Sequence, residues 1–479
     1  MTASTATPQI NSDTTGGTMA EHIEHEGPTL SEQMAEAFSQ WTLNNLPETA
    51  KAVATKDLID MAGLCVSARQ QPYVQQLVAG WDSDGPCTAF GHARGFDTAG
   101  AAVVNGTATH GEDFDDTLEG APIRVGAMVI PAVLAVGERF QLSGERVLTG
   151  IIAGTEAVCR LNHVAAGHMH KACFHPVGVI GALGAAMGAG TALGLDRRQL
   201  AMAMGVAGSF SSGIIEFLTD GAWTKRLHPG WAAQSGVRAA VIAQQGFFAP
   251  RTILEGEHSF FRAFAPTATP DYRHVAEGLG KTFYMERIAF KPYACGTMIH
   301  PYIDCMIRLA EQGVDADEID SILCPTGEGL VHRLWEPLAA KHAPPSGYAA
   351  KFSMPYCMAV GFFERDAGLE QFTDAKAKDP RILALARKIS YQIDPANEYP
   401  RNYSGHLRVR LKNGEQIALD QPHMRGGVHE PLTLEAIIAK YRANVAYGGW
   451  PAERGEQLLD YLQELPKAGD LTGLATFRG

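Results

Sequence analysis

The sequence predicts a mainly α protein: a large all-helical domain, discontinuous in the chain, with a smaller α+β domain set into it. Three observations carry that reading. From Leu30 to about Gly246 apolar residues recur at intervals of three and four, with little period-two alternation. Near Ile288 the pattern changes to short alternating runs, and after Met424-Arg425-Gly426-Gly427 it returns to helical spacing.

Residues 1–28 are rich in Thr, Ser, Gly and acids and contain no apolar stretch of signal-peptide type, so they read as a flexible tail, with Met19 a second candidate start. Helical segments follow: SEQMAEAFSQW, DLIDMAGLCVSAR, AGAAVVNGTATH, VIPAVLAVGERF, GERVLTGIIAGTEAVCRL, RRQLAMAMGVAGSF and GWAAQSGVRAAVIAQQG. Ser, Asp, Gly and Pro punctuate their boundaries. Val177 to Leu195 carries no charge over nineteen residues, which suits a membrane span by length. Its Gly and Ala content contributes little to insertion but lets helices approach closely, so a buried central helix is expected.

In the smaller domain, SILCPTG and GHLRVRLKNGEQIAL alternate as strands do, and Lys412-Asn413-Gly414 is a hairpin turn. IHPYIDCMIRLAEQG, PYCMAVGFFERD and DPRILALARKI read as helices between them. TLEAIIAKYRANV and GEQLLDYLQELP are helical again and return to the first domain. The expected division is residues 29–286 with 425–479 for the helical domain, and 287–424 for the α+β domain.

At 479 residues the chain exceeds one ordinary core. Its net charge of -12 argues against a nucleic-acid partner but leaves room for a basic pocket. Eight scattered cysteines form no C-x-x-C pair, which fits reduced thiols and a cytoplasmic location.

The densest chemical signal is His110 to Thr117, H-G-E-D-F-D-D-T, with four carboxylates in five residues. If helical, it would bring His110, Asp113 and Asp116 or Thr117 to one face, offering a carboxylate and a hydroxyl to a ligand. The bland alternative is a solvated helix terminus. Four further polar clusters stand in apolar surroundings. They are His163/His168/His170/His175, Thr224-Lys225-Arg226-Leu227-His228, Lys291-Pro292-Tyr293-Ala294-Cys295-Gly296 with His300, and Lys351-Phe352-Ser353-Met354-Pro355-Tyr356. Lysines and arginines beside Gly-rich backbone suit capture of a carboxylate-bearing small molecule, although any one of them also reads as a solvated surface charge. His163, His168 and His170 read as loop residues. His175 precedes the neutral helix, whose N-terminal dipole favours the uncharged imidazole that a proton acceptor needs.

These motifs together resemble the MmgE/PrpD family, which contains 2-methylcitrate dehydratase, cis-aconitate decarboxylase and iminodisuccinate epimerase. The resemblance runs from about Leu30 to Leu471. It rests on N-G-T-A-T-H-G-E-D-F-D-D-T, I-P-A-V-L-A-V-G-E, F-H-P-V-G-V-I-G-A-L-G-A-A, T-K-R-L-H-P-G-W-A-A-Q-S-G, I-L-E-G-E-H-S-F-F, K-P-Y-A-C-G-T-M-I-H and K-F-S-M-P-Y. It implies that the α+β domain is a lid, that the site lies at the junction of the domains, and that the protein is a cofactor-free homodimer. It also carries family site residues onto Asp113, Thr117, His175, Lys225 and Lys291, with His300 further along. Two positions depart from the family pattern: Arg124 stands in a segment where a histidine is expected, and Gly296 follows Cys295.

The resulting expectation is a cofactor-independent lyase that moves a proton next to a carboxylate of a di- or tricarboxylic acid, with dehydration ahead of decarboxylation. His175, Asp113 and Lys225 are the expected catalytic residues: His175 exchanges the proton, Lys225 meets the enolate-like charge and Asp113 orients a partner or serves as second acid/base. Thr117, Arg124, Lys291 and His300 are expected to bind substrate. An epimerase of an imino- or amino-dicarboxylate is the alternative, since it needs no leaving group. A metal-dependent hydrolase using His110, Asp113, Asp116 and the His163–His175 cluster is a further one, and a non-catalytic descendant a last. No metal and no membrane partner is expected.

Overall fold

The computed structural model describes residues 27–121 and 123–479. The tail expected over residues 1–28 therefore lies, except for its last two residues, outside the described residues. The fold is mainly α, 57% helical, with a few small sheets.

The larger hydrophobic core is built from residues 34–290 together with 432–477. The helix Pro176–Leu193 runs through it with every residue buried. It is long and apolar enough to cross a membrane, yet the protein covers it completely. Glycine explains how: Gly150 and Gly154 on the helix Gly144–Val164 face Gly184 and Gly188 on Pro176–Leu193. A Cβ on Gly154 would lie 2.8 Å from the Gly184 carbonyl oxygen and 3.0 Å from the Gly188 Cα. The two backbones are thus in near-direct contact, and the predicted small-residue core is a packing device. Helix starts follow the expected capping chemistry. Thr29 and Glu32 form a capping box ahead of Leu30–Ser39, Asp97 caps Thr98–Gly111, and Asp196 with Gln199 caps Arg197–Phe210.

The second core gathers residues 293–411, with Leu64 and Phe114 contributed from the first part of the chain. Its four-stranded sheet has Ile389–Ile393 parallel to Ile319–Thr326, which pairs antiparallel with Gly405–Leu411. That strand turns through Lys412-Asn413-Gly414 into Gln416–Gln421, with Arg410 opposite Gln416. Gly414 takes φ 90°, as the turn requires. The helices His300–Glu311 and Met354–Glu364 pack in the same core. Two boundaries differ from the sequence reading, the first being the helix expected from Gly230, which already begins at Thr224 and so takes in the basic Thr224–His228 cluster. The helix expected over DPRILALARKI ends at Ala386, and Ile389–Ile393 becomes an edge strand because Ile-Ser-Tyr-Gln-Ile alternates and pairs with Ile322 to Thr326.

The chain passes between the cores twice, and the two passages touch. The Phe290 N–H donates to the Gly426 carbonyl at 3.0 Å. Gly426 has φ 92°, and a Cβ there would collide with the Phe290 carbonyl, so only glycine fits. Beside this seam the short strand Thr117–Leu118 pairs antiparallel with Ile288–Ala289, tying the acidic segment to the first crossing.

The close helix contact yields a direct expectation. Gly154→Ala should lower unfolding free energy by about 1–3 kcal/mol through overpacking, read as the urea midpoint; an unchanged midpoint would contradict backbone contact at this crossing.

Candidate active site

The acidic segment is not a helix. Thr98–Gly111 ends at Gly111, Glu112 is its C-cap, and Asp113 adopts φ 58°. The expected shared helical face of His110, Asp113 and Asp116 is therefore replaced by a loop, in which each acid turns to a different partner. Aspartate tolerates this left-handed conformation better than most residues. Glu112 accepts from Lys351 Nζ at 2.8 Å and from the Tyr73 hydroxyl at 3.1 Å. Asp115 Oδ2 lies 2.7 Å from His110 Nδ1. Asp116 accepts from the Val125 and Gly126 N–H groups, both at 3.0 Å, at the start of the helix Gly126–Arg139. Burial and the neighbouring Asp115 push the Asp116 carboxyl up to about 7.

Asp113 is the hub. Its carboxylate accepts from Lys225 Nζ at 2.5 Å and Arg124 Nη2 at 3.0 Å, with Lys291 Nζ 3.4 Å away. Lys291 also donates to the Asp113 backbone carbonyl. Burial alone would raise this carboxyl. Lys225, Lys291 and Arg124 overcome it and hold the group well below the usual carboxylate range. The same attraction outweighs burial at Lys225 and raises its ammonium above the usual lysine value. Arg124 further reaches Asp115, with Nε 3.4 Å from Oδ1.

Beside this hub a cavity of about 200 Å³ opens at the junction of the two cores. His110, Asp113, Thr117, Arg124, His175 and Lys225 all line it, so the structure brings most of the sequence-predicted site together. His175 is the N-cap of Pro176–Leu193, and its Nδ1 lies 3.0 Å from His228 Nδ1, so one ring donates to the other. Burial, then the charges of His110, His228 and Lys225, hold the His175 imidazole well below the usual histidine value. The direction matches the sequence reading, but its main cause is burial, followed by neighbouring charges.

Two predicted substrate contacts lie elsewhere. Lys291 is wholly buried beneath Asp113 and also donates to the Cys295 carbonyl at 3.2 Å. Burial, then Arg124, lower it to about 8. His300 begins a helix inside the second core, fully buried with its ring edge-on to Tyr293 at 5.4 Å. Neither lines the cavity: Lys291 is engaged beneath Asp113, and His300 sits inside the second core with neither ring nitrogen hydrogen-bonded among the described residues.

Other contributors were missed. His110, read only as part of a face or a metal set, is held by Asp115 at Nδ1, while its buried Nε2 has no hydrogen-bond partner among the described residues. Its ring centroid is 6.0 Å from that of His175. The spacing of His110 and Asp115 was the available signal. His170, read as a loop residue, also lines the cavity, 6.3 Å from His175 between ring centroids. Arg333 and Phe352 approach from the second core. Among the described residues, no group of three or more His, Cys, Asp or Glu side chains is arranged to hold a metal ion. A larger cavity of about 390 Å³ behind Phe114 contains no histidine, and its cations Lys440 and Arg425 are already paired, with Asp60 and Asp304.

Comparison with known proteins places these features in a family. The MmgE/PrpD N-terminal domain matches residues 32–273 and the MmgE/PrpD C-terminal domain residues 293–463. A cis-aconitate decarboxylase of Aspergillus terreus is 25% identical over 428 residues, covering 84% of this chain and 86% of that protein. The cis-aconitate decarboxylase of Homo sapiens is 27% identical over 390 residues, 78% of each chain. A cis-aconitate decarboxylase-like protein of Aspergillus oryzae is 22% identical over 415 residues, 82% of this chain and 85% of its own length.

Two measurements test the electrostatics. Asp113→Asn leaves three cations facing a neutral side chain and is expected to cost about 3–5 kcal/mol of unfolding free energy; a loss under about 1 kcal/mol would contradict its role as hub. His163, packed against His274 and Tyr284, is lowered to about 4 by burial and then by the His274 and Arg287 charges. A depressed folded value means that stability from this group is present above about 6.5 and lost as pH falls through about 4. His163→Gln should therefore gain stability relative to the parent between pH 7 and pH 5, and a constant difference would show that the ring is not held neutral.

Proposed function

The chain belongs to the MmgE/PrpD family, and from that membership we propose a cofactor-independent lyase that moves a proton at a carbon next to a carboxylate of a di- or tricarboxylic acid. The observation that carries the reading is the meeting of His175 and His110 in one cavity, rings 6.0 Å apart, with Lys225 in the same wall.

A carbon acid beside a carboxylate is weak, so its reaction needs positive charge where the enolate-like charge develops. Lys225 supplies it and stays ionised because Asp113 supports its ammonium. His175 exchanges the proton through Nε2, since Nδ1 is engaged by His228. A neutral imidazole can accept a proton near neutrality without first losing one. His110, oriented by Asp115 at Nδ1, presents Nε2 as the second acid/base. That role fits His110 better than Asp113, whose carboxylate is held ionised by three cations. Thr117 offers a hydroxyl to the substrate and Arg124 adds positive potential. Lys291 acts from beneath, by fixing Asp113.

The relatives carry the name cis-aconitate decarboxylase, which favours loss of CO2 over dehydration as the outcome. Breaking the C–CO2 bond leaves an electron pair that must be protonated at carbon, and a buried imidazole is suited to deliver that proton. Epimerisation of an imino- or amino-dicarboxylate is the second reading. It is favoured by the two imidazoles standing on separate elements, the end of Thr98–Gly111 and the cap of Pro176–Leu193.

The test is proton NMR in D2O with EDTA-treated protein and cis-aconitate, 2-methylcitrate, citrate, itaconate or iminodisuccinate. Deuterium incorporation or product formation is expected, and the product distinguishes lyase from epimerase. His175→Asn should reduce the rate at least about 100-fold with an unchanged unfolding midpoint. Full activity in that variant would remove His175 from the reaction. No exchange with any of the five acids would count against the reading.

A further inference from the structure

We propose that Arg333 binds a second substrate carboxylate, remote from the reacting carbon, and thereby sets selectivity for polycarboxylates; this rests on the lyase reading above. The cations at the cavity differ in what already holds them. Arg124 is shared between Asp113 and Asp115, Lys225 is paired with Asp113, and Lys291 is sealed beneath them. These groups balance acids of the protein as much as they attract a ligand. Arg333 also lines the cavity, and among the described residues its guanidinium makes no hydrogen bond and no ion pair. It is near enough for its charge to be felt at His170, which also lines the cavity.

The backbone that carries Arg333 is firmly held although its side chain is free. It lies in the one-turn π-helix Val331–Trp335, a geometry that inserts a residue and re-aims its neighbours. Leu334 and Trp335 are buried in the second core, and the Trp335 indole N–H donates to the Thr326 hydroxyl at 3.3 Å. The Arg333 carbonyl accepts from Lys341 Nζ at 2.6 Å. A fixed base with an unpaired planar donor group is suited to bidentate binding of a carboxylate.

Gly296 provides room beside it. A Cβ at Gly296 would meet nothing closer than 3.5 Å, with Leu334, the residue after Arg333, 3.6 Å away. Glycine is therefore not demanded there by packing or by φ, and the missing side chain leaves open space next to the π-turn. The chemistry indicated is a compact acid with two or more carboxylates. One sits near Lys225 and the imidazoles, and another reaches the second core.

The test pairs binding with turnover. Propane-1,2,3-tricarboxylate, a saturated tricarboxylate, serves as binding probe in calorimetry, and cis-aconitate as substrate. Arg333→Gln is expected to weaken binding of the probe about tenfold or more and to raise KM for cis-aconitate similarly, with kcat within about threefold. Arg333→Lys should restore only part of the binding, because an ammonium lacks the fork geometry. Gly296→Leu should also weaken the probe without lowering the unfolding midpoint, by filling the space. His175→Asn should bind the probe like the parent. Arg333→Gln that binds and turns over like the parent would overturn the proposal and leave the lyase reading intact, as would a variant that loses kcat with binding unchanged. A parent protein that neither binds the probe nor turns over cis-aconitate would remove the reading and the proposal with it.

Discussion

A buried carboxylate that three cations need organises this protein. Asp113 cannot be ionised in an apolar interior unless Lys225, Arg124 and Lys291 surround it, and those cations cannot be buried without it. They come from different parts of the chain: the loop before Gly126–Arg139, the first turn of Thr224–Gln244, and the crossing that follows Ile288–Ala289. Satisfying one charge therefore fixes the relative position of both walls of the cavity. The left-handed conformation of Asp113 is the local cost of pointing its carboxylate at all three partners.

The remaining acids of the segment complete the arrangement. Glu112 is held by Lys351 of the second core, Asp115 holds His110, and Asp116 caps a helix. Carboxylates so close in sequence would repel on a helix face. Separated onto cations, an imidazole and backbone N–H groups, each has a favourable partner.

The fold was readable because its signals are periodic. Helical spacing to Gly246, the small-residue run from Val177 and the Lys412-Asn413-Gly414 turn each depend on neighbours in sequence, and each appears where expected. The site was readable where a motif combined an unusual residue with a defined position, as with His175 at a helix start. It was not readable where the decisive fact is a long-range contact. Nothing local shows that Lys291 would be consumed by a residue 178 positions earlier. His170 looked like an ordinary loop residue, yet it sits half-buried in the one-turn helix His168–Lys171 and lines the cavity. Arg333 offered no pattern at all, since a π-turn has no distinctive spacing.

The seam at Phe290 and Gly426 has a wider consequence. The inserted segment leaves and rejoins the helical scaffold at a single doorway, so its ends are adjacent in space. Such a segment is a cassette: recombination can exchange it without rebuilding the scaffold. The imidazoles His110 and His175 and the ammonium of Lys225 belong to the scaffold, whereas Gly296, Arg333 and Phe352 travel with the cassette. A lineage with this layout can rebuild one side of the cavity by altering one contiguous stretch of its gene, while inheriting the other side unchanged.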